Sequence, residues 1–334
     1  VIKVLIVDDS AVVRRMCGQI LAGEPDIEVV GTAPDPYVAR DLIVTRKPDV
    51  VTLDWEMPRM DGITFLKKLM KFYPLPVVIV STLTSKGGEK ALEAMAAGAV
   101  EVICKPNDDH SLNEMADDLV HAVRSAALAR SRPPPPSQQL VRSHISASHH
   151  LIALGASTGG TVAIESILQS LPSETPGLVM VQHMPAFFTK SFADRLAKLS
   201  RMKVREAVDG DLVEQGLALL APGDKQMVVR QTPRGYTVGV MEGPRVSGHR
   251  PSVDVLFRSV ARAAGKNALG VILTGMGADG AQGLLEMRKA GAHTLGQDAD
   301  SSVVYGMPKA AFDLGGVEHQ VPLAFMPQRI LSAV

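Results

Sequence analysis

Leu151-Ile152-Ala153-Leu154-Gly155-Ala156-Ser157-Thr158-Gly159-Gly160 reads as a short buried strand entering a glycine-rich turn, with a helical stretch, Val162–Leu171, directly behind it. A brief apolar run closed by glycine fits a strand covered on both faces, as in parallel α/β sheets. Two chemistries suit a glycine-rich turn in this place. It can bring a dinucleotide pyrophosphate to the helix N-terminus. Alternatively, as Gly155-x-Ser157-x-Gly159, it can lift a serine hydroxyl above the sheet edge. A plain structural turn is the third reading, and the motif alone does not separate the three.

The next strand narrows the choice. It reads Leu178–Gln182 and is followed at once by His183-Met184-Pro185. Nicotinamide binders usually place Asp or Glu there for the ribose hydroxyls; here there is an imidazole. The first two strands of a doubly wound sheet are typically neighbours, so Ser157 and His183 are expected near one another. A carboxylate to orient the ring is available in Thr274-Gly275-Met276-Gly277-Ala278-Asp279-Gly280, after strand Leu269–Leu273. Asp279 would otherwise be an ordinary cap for the helix it precedes, Gly280–Ala290. The N–H groups of this loop suit an oxyanion. The order Ser, His, Asp differs from that of α/β-hydrolases, but triads are defined by geometry. The remaining elements are helices Phe188–Leu199 and Val253–Ala264, strand Thr294–Gln297, and a hairpin-like region over Leu217–Leu220, Met227–Arg230 and Tyr236–Val240. The whole is expected to be a doubly wound, mainly parallel α/β sheet.

Upstream the same alternation occurs five times. Strands Ile2–Val7, Glu28–Gly31, Asp49–Asp54, Val77–Ser81 and Glu101–Cys104 interleave with helices Ala11–Ala22, Pro36–Thr45, Thr64–Met70, Glu89–Ala97 and Leu112–Ala129. Such alternation implies right-handed crossovers and a parallel sheet. Ligands of open parallel sheets sit beyond the carboxyl ends of the strands. Asp8-Asp9, Asp54, Ser81 and Lys105 all fall at those ends. Three converging carboxylates call for a cation, and a carboxylate-and-water set suits Mg²⁺. Between the two halves, Pro133–Pro136 and the Ser- and His-containing stretch after it can be neither helix nor central strand. The expected division is therefore 1–127, a linker at 128–149, and 150–334. His149-His150 reads as solvated linker.

Composition bounds the function. The 334 residues carry 35 Lys plus Arg against 35 Asp plus Glu, a formal net charge of zero. That balance, with no helix-turn-helix pattern, opposes a nucleic-acid partner. Hydrophobic residues at 46% supply two cores, and the opening apolar run is too short for a signal peptide or membrane span. Cys17 and Cys104 form neither a disulfide scaffold nor a metal spacing. A soluble, cytoplasmic protein without membrane insertion is the expectation.

Residues 1–125 resemble the receiver domain of two-component response regulators. The resemblance is carried by Val7-Asp8-Asp9-Ser10, Leu53-Asp54, Met57-Pro58-Arg59-Met60-Asp61-Gly62 and Cys104-Lys105-Pro106. It implies a flavodoxin-like (βα)5 fold and phosphorylation of Asp54 by a histidine kinase. It also implies Mg²⁺ held by Asp9, Asp54 and the Glu56 carbonyl beside Asp8, and phosphoryl sensing by Ser81 and Lys105. Many receivers carry Tyr or Phe where this chain has Val102, which shifts the expected signal to Ser81 and the fourth and fifth units.

Residues 149–334 resemble the protein-glutamate methylesterases of bacterial chemotaxis. The matching segments are Gly155–Gly160, Gln182-His183-Met184-Pro185, Ala221-Pro222-Gly223, His249-Arg250-Pro251-Ser252-Val253-Asp254, Leu273–Gly280 and Val303–Pro308. The resemblance implies a serine esterase that hydrolyses glutamyl methyl esters of chemoreceptors, releasing methanol, and deamidates receptor glutamine. Ser157 would be the nucleophile, His183 the base and Asp279 its orienting group. The Met276 N–H would bind the oxyanion, Thr158 and His249 would line the cleft, and no esterase cofactor is implied. The receiver would cover that cleft until Asp54 is phosphorylated. A dinucleotide-binding regulator and a catalytically silent interaction module remain rival readings from the residues alone.

Overall fold

The computed structural model describes residues 1–82, 87–106, 112–129 and 151–334. The chain divides into two compact units, Val1–Ser131 and Arg132–Val334. The proline-rich segment falls on 130–150, outside the described residues.

In the first unit, β1 (Ile2–Val7), α1 (Ala11–Ala22), β2 (Ile27–Ala33), α2 (Pro36–Arg46), β3 (Val50–Leu53), α3 (Gly62–Phe72), β4 (Val77–Ser81), α4 (Gly87–Ala96), β5 (Glu101–Cys104) and α5 (Leu112–Leu128) follow in turn. The strands form a parallel sheet ordered β2-β1-β3-β4-β5, the flavodoxin-like arrangement. Helix starts are set by acceptor side chains: Ser10 takes the Val13 N–H, Asp35 those of Tyr37 and Val38, and Asp61 that of Thr64. Val4, Ile6, Val50, Val78 and Val80 pack against Met115, Leu119 and Val123 of α5 in one core. Helix α5 runs through Leu128, one residue into the stretch expected to be linker.

The second unit contains β6 (Leu151–Ala156), α6 (Gly160–Ser170), β7 (Gly177–Gln182), α7 (Ala186–Leu199), β8 (Lys203–Glu206), β9 (Leu217–Leu220), β10 (Gln226–Thr232), β11 (Gly235–Met241), α8 (Val253–Ala263), β12 (Ala268–Ile272), α9 (Ala281–Lys289), β13 (His293–Gln297), α10 (Met307–Asp313), β14 (His319–Val321) and α11 (Met326–Ala333). Seven strands form one parallel sheet in the order β14-β13-β12-β6-β7-β9-β8. One expectation is corrected here. Leu217–Leu220 is not part of the hairpin; it is an interior strand of the main sheet, paired in parallel with β7 and β8. Only β10 and β11 form the antiparallel hairpin.

The strand order reverses between β6 and β12, the topological switch point at which open α/β sheets bind ligands. Helix α8 abuts this point because two glycines leave room for it. A Cβ on Gly155 would meet Val253 Cγ1 at 2.2 Å, and one on Gly280, whose φ is +90°, would meet it at 2.5 Å. Below, Leu256, Phe257 and Val260 of α8 are fully buried among Leu151, Ile272 and Leu284. Burying Phe257 alone stabilises the unit by roughly 1.5–3 kcal/mol.

Candidate functional sites

The carboxyl edge of the second sheet gathers the three residues expected to form a triad. Ala156 and Gln182 are a register pair, so Ser157 and His183 each stand one residue beyond it on adjacent strands. Ser157 donates its backbone N–H to the Thr274 carbonyl at 3.0 Å, which ties the serine turn to the loop carrying Met276 and Asp279. His183 Nε2 lies 2.8 Å from Asp279 Oδ2. A carboxylate only accepts, so Nε2 carries the hydrogen and Nδ1 keeps the lone pair. That Nδ1 is buried and has no hydrogen-bond partner, so the bond to the Ser157 hydroxyl is not made in this resting arrangement. Catalytic hydrogen bonds often tighten only once substrate is bound.

The carboxylate is held with unusual completeness. Asp279 does not cap α9, the helix it precedes, whose N-terminal Gly280 has no side-chain bond. It sits instead at the N-terminus of α8. Oδ2 accepts the Val253 N–H at 2.7 Å, and Oδ1 accepts the Ser252 hydroxyl at 2.7 Å and the Asp254 N–H at 3.1 Å. Burial pushes this carboxyl upward, but His183, Ser252 and the Val253 N–H together hold it below the ordinary carboxylate range. The helix dipole acts in the same direction. Asp254, buried alongside, is shifted upward by burial and by the charge of Asp279.

The His249 ring stacks on that of His183, with centroids 3.6 Å apart and planes 12° apart. Thr158 is buried, and its carbonyl accepts the Thr274 hydroxyl at 2.9 Å. Met276 lies on the same loop as Asp279, two residues past Thr274. Ser252 escaped sequence reasoning although it lies within a quoted motif; a serine just before an apolar helix carries a cap signal, not a catalytic one. Losing its hydroxyl removes both an α8 cap and one bond to Asp279. Ser252→Ala should lower stability by about 1 kcal/mol in urea unfolding. Asp279 is depressed, so its contribution exists above the normal carboxylate range and disappears as pH falls through the folded-state value. The variant should therefore unfold in acid at a higher pH than the parent, followed by circular dichroism.

In the first unit, Asp8, Asp9 and Asp54 present carboxylate oxygens within 4.8 Å of one another. Lys105 Nζ lies 2.7 Å from Asp8 Oδ2 and 2.6 Å from Asp54 Oδ2. Burial raises the Asp54 carboxyl above its usual range, and Lys105 only partly offsets this. Burial lowers Lys105, but Asp54 and Asp8 more than compensate, so it stays protonated. Asp8 Oδ2 is buried and is met by the Lys105 ammonium, a positive charge answering the three clustered carboxylates. The donor set fits Mg²⁺. Glu56 donates its N–H to Asp54 Oδ1 at 3.1 Å, while its side chain pairs with Lys90. Ser81, buried at the end of β4, has its hydroxyl 3.4 Å from the Thr82 carbonyl.

A serine, an imidazole and a carboxylate thus gather at the carboxyl edge of one unit, and three carboxylates with a buried lysine at that of the other. The model of the CheB methylesterase family matches residues 152–330, and that of the response regulator receiver domain matches 4–117. A relative from Anaeromyxobacter dehalogenans (strain 2CP-C), named protein-glutamate methylesterase/protein-glutamine glutaminase 4, is 57% identical over 335 residues, 99% of this chain and 94% of its own. One from Escherichia coli (strain K12), protein-glutamate methylesterase/protein-glutamine glutaminase, is 50% identical over 338 residues, covering 100% and 97%. The crystal structure of the Thermotoga maritima CheB methylesterase catalytic domain is 33% identical with a TM-score of 0.55, covering 56% of this chain and 100% of that one. The chain belongs to the CheB methylesterase family. Among the described residues, no helix is long and apolar enough to cross a membrane.

Proposed function

We propose that the chain is a phosphorylation-activated serine esterase that hydrolyses glutamyl methyl esters on chemoreceptors and deamidates receptor glutamines. The observation that carries this reading is the locked carboxylate: Asp279 accepts the hydrogen on His183 Nε2 and leaves Nδ1 without a partner, at the end of the strand next to the one that leads into Ser157.

His183 Nδ1 takes the proton as Ser157 Oγ attacks the ester carbonyl. The developing oxyanion is met by the Met276 N–H, and such a donor is worth about 10²–10³ in turnover. Asp279 stabilises the imidazolium without taking its proton. Collapse breaks the carbon–oxygen bond to the methoxy group, His183 returns the proton, and methanol leaves. Water activated by the same Nδ1 then attacks the acyl-serine, freeing a glutamate and restoring Ser157. With a glutamine substrate, ammonia is the first leaving group. His249 supports the ring of His183 and Thr158 lines the cleft; the esterase half uses no cofactor.

In the receiver, Asp54 attacks the phosphorus of a phosphohistidine on a chemotaxis kinase, forming an acyl phosphate as the phosphorus–nitrogen bond breaks. Asp8, Asp9 and Asp54, with the Glu56 carbonyl, would hold Mg²⁺, which supplies charge neutralisation for the phosphoryl group. Lys105 and Ser81 then contact the new oxygens. We assign residues 1–127 to the receiver, 128–149 to a linker and 150–334 to the esterase, acting in the cytoplasm. Cys17 and Cys104 are buried and not joined in a disulfide, which suits a reducing compartment.

The test is methanol release from methyl-labelled chemoreceptor membranes with the purified full chain. Release should occur, and should rise several-fold on adding Mg²⁺ and a small phosphodonor. No release under either condition would end this reading.

A further inference from the structure

Strand β7 runs Gly177-Leu178-Val179-Met180-Val181 and then, still buried, Gln182. Nothing in packing asks for an amide there, since buried polar groups are destabilising unless bonded. The Gln182 carboxamide has two N–H donors, and both are engaged. Nε2 donates to the Ser157 carbonyl at 2.9 Å and to the His183 carbonyl at 3.1 Å. Its Oε1 is buried without a partner. The group is therefore committed through its donor side alone. Room for it exists because the first residue of α6 is glycine: a Cβ on Gly160 would stand 2.2 Å from Oε1.

We propose that Gln182 is a positioning residue for ester hydrolysis, its amide nitrogen clamping the backbone of Ser157 to that of His183. The inference rests on the reading of those two residues as nucleophile and base. The β-ladder already spaces the strands through the His183 N–H to the Ala156 carbonyl at 3.1 Å. That bond ends the ladder one residue short of the serine turn. Beyond it, Ser157 lies on a loop, and the clamp joins that loop directly to the residue bearing the imidazole. The resting gap between Nδ1 and the serine hydroxyl makes this spacing matter. Small misplacements of reacting groups can cost about 10²-fold.

The experiment compares wild-type full chain with Gln182→Met, Gln182→Glu and Ser157→Ala on methyl-labelled chemoreceptor membranes, with rates normalised to folded protein by circular dichroism. Met keeps the length without donors. It should lower kcat by about 10–100-fold with KM within about twofold, because the defect lies in the reacting geometry. Glu keeps the shape. Surrounded by carbonyls and buried, it should ionise only well above the usual carboxylate range. When protonated it offers one O–H donor; when ionised it offers none. The ratio of Gln182→Glu to wild-type kcat should thus fall about tenfold as pH rises from about 6 to 9, while the Gln182→Met ratio stays flat. A packing role would change thermal stability but neither ratio. Wild-type kcat per folded molecule in Gln182→Met, or a pH-independent Gln182→Glu ratio, would overturn the clamp. Retained activity in Ser157→Ala would instead overturn the underlying reading.

Discussion

Ser157→Ala should abolish methanol release from methyl-labelled receptor membranes, lowering kcat by at least about 10³-fold while leaving the fold intact. The substitution removes one hydroxyl from a residue only 3% exposed, and the bonds that place the turn all run through the backbone. On Ser157 those are its N–H to the Thr274 carbonyl at 3.0 Å, and its carbonyl accepting the Gly160 N–H at 2.7 Å and Gln182 Nε2 at 2.9 Å. Removing Oγ would therefore delete the proposed nucleophile and leave those bonds in place. Any residual rate would come from oxyanion stabilisation and bound water. Unchanged methanol release would remove Ser157 from the mechanism.

Asp54→Asn should eliminate phosphoryl labelling of the chain by a small radiolabelled phosphodonor, and with it the phosphodonor-dependent gain in methanol release. Phosphorylation adds about −1.5 to −2 charges where Lys105 is the nearest cation. An amide offers no oxygen nucleophile of comparable basicity. Burial raises the Asp54 carboxyl above its usual range, with Lys105 opposing that shift. Removing Mg²⁺ with EDTA should produce the same loss in the unaltered protein, because Asp8, Asp9 and Asp54 would then repel the donor's phosphoryl oxygens. Undiminished labelling of Asp54→Asn would place the acceptor elsewhere.

Much of this architecture was legible in the sequence, for physical reasons. Strands buried on both faces leave unbroken Val, Ile and Leu runs, so β1, β3, β4, β6, β7 and β12 stand out by composition alone. Their carboxyl ends, with that of β5, then locate Asp54, Lys105, Ser157, His183 and, in the loop after β12, Asp279. Edge strands leave no such trace. β8 reads Lys-Val-Arg-Glu with only Val204 buried, and its strand character comes from pairing with β9. β14 has three residues and buries only Val321. Leu217–Leu220 reads as part of the hairpin because an apolar tetrapeptide does not announce its partner. The same limit applied to Asp279. Local sequence offers α9 as the helix to cap, whereas the actual donors belong to α8, more than twenty residues upstream. Gln182 was visible only as part of a motif; that its nitrogen reaches two carbonyls is a fact of side-chain geometry.

The bond between His183 and Asp279 joins residues 96 positions apart in the chain, and Ser252 reaches Asp279 across 27 more local ones. Loops of that length close late and at an entropic cost that must be met before any contact rewards it. Competence to cut esters should consequently be the last property a refolding molecule regains, trailing secondary structure. A nascent chain halted before residue 279 would have a serine and an imidazole but no carboxylate to orient that ring. On the proposed roles, such a ribosome-bound fragment should release no methanol from methylated receptors.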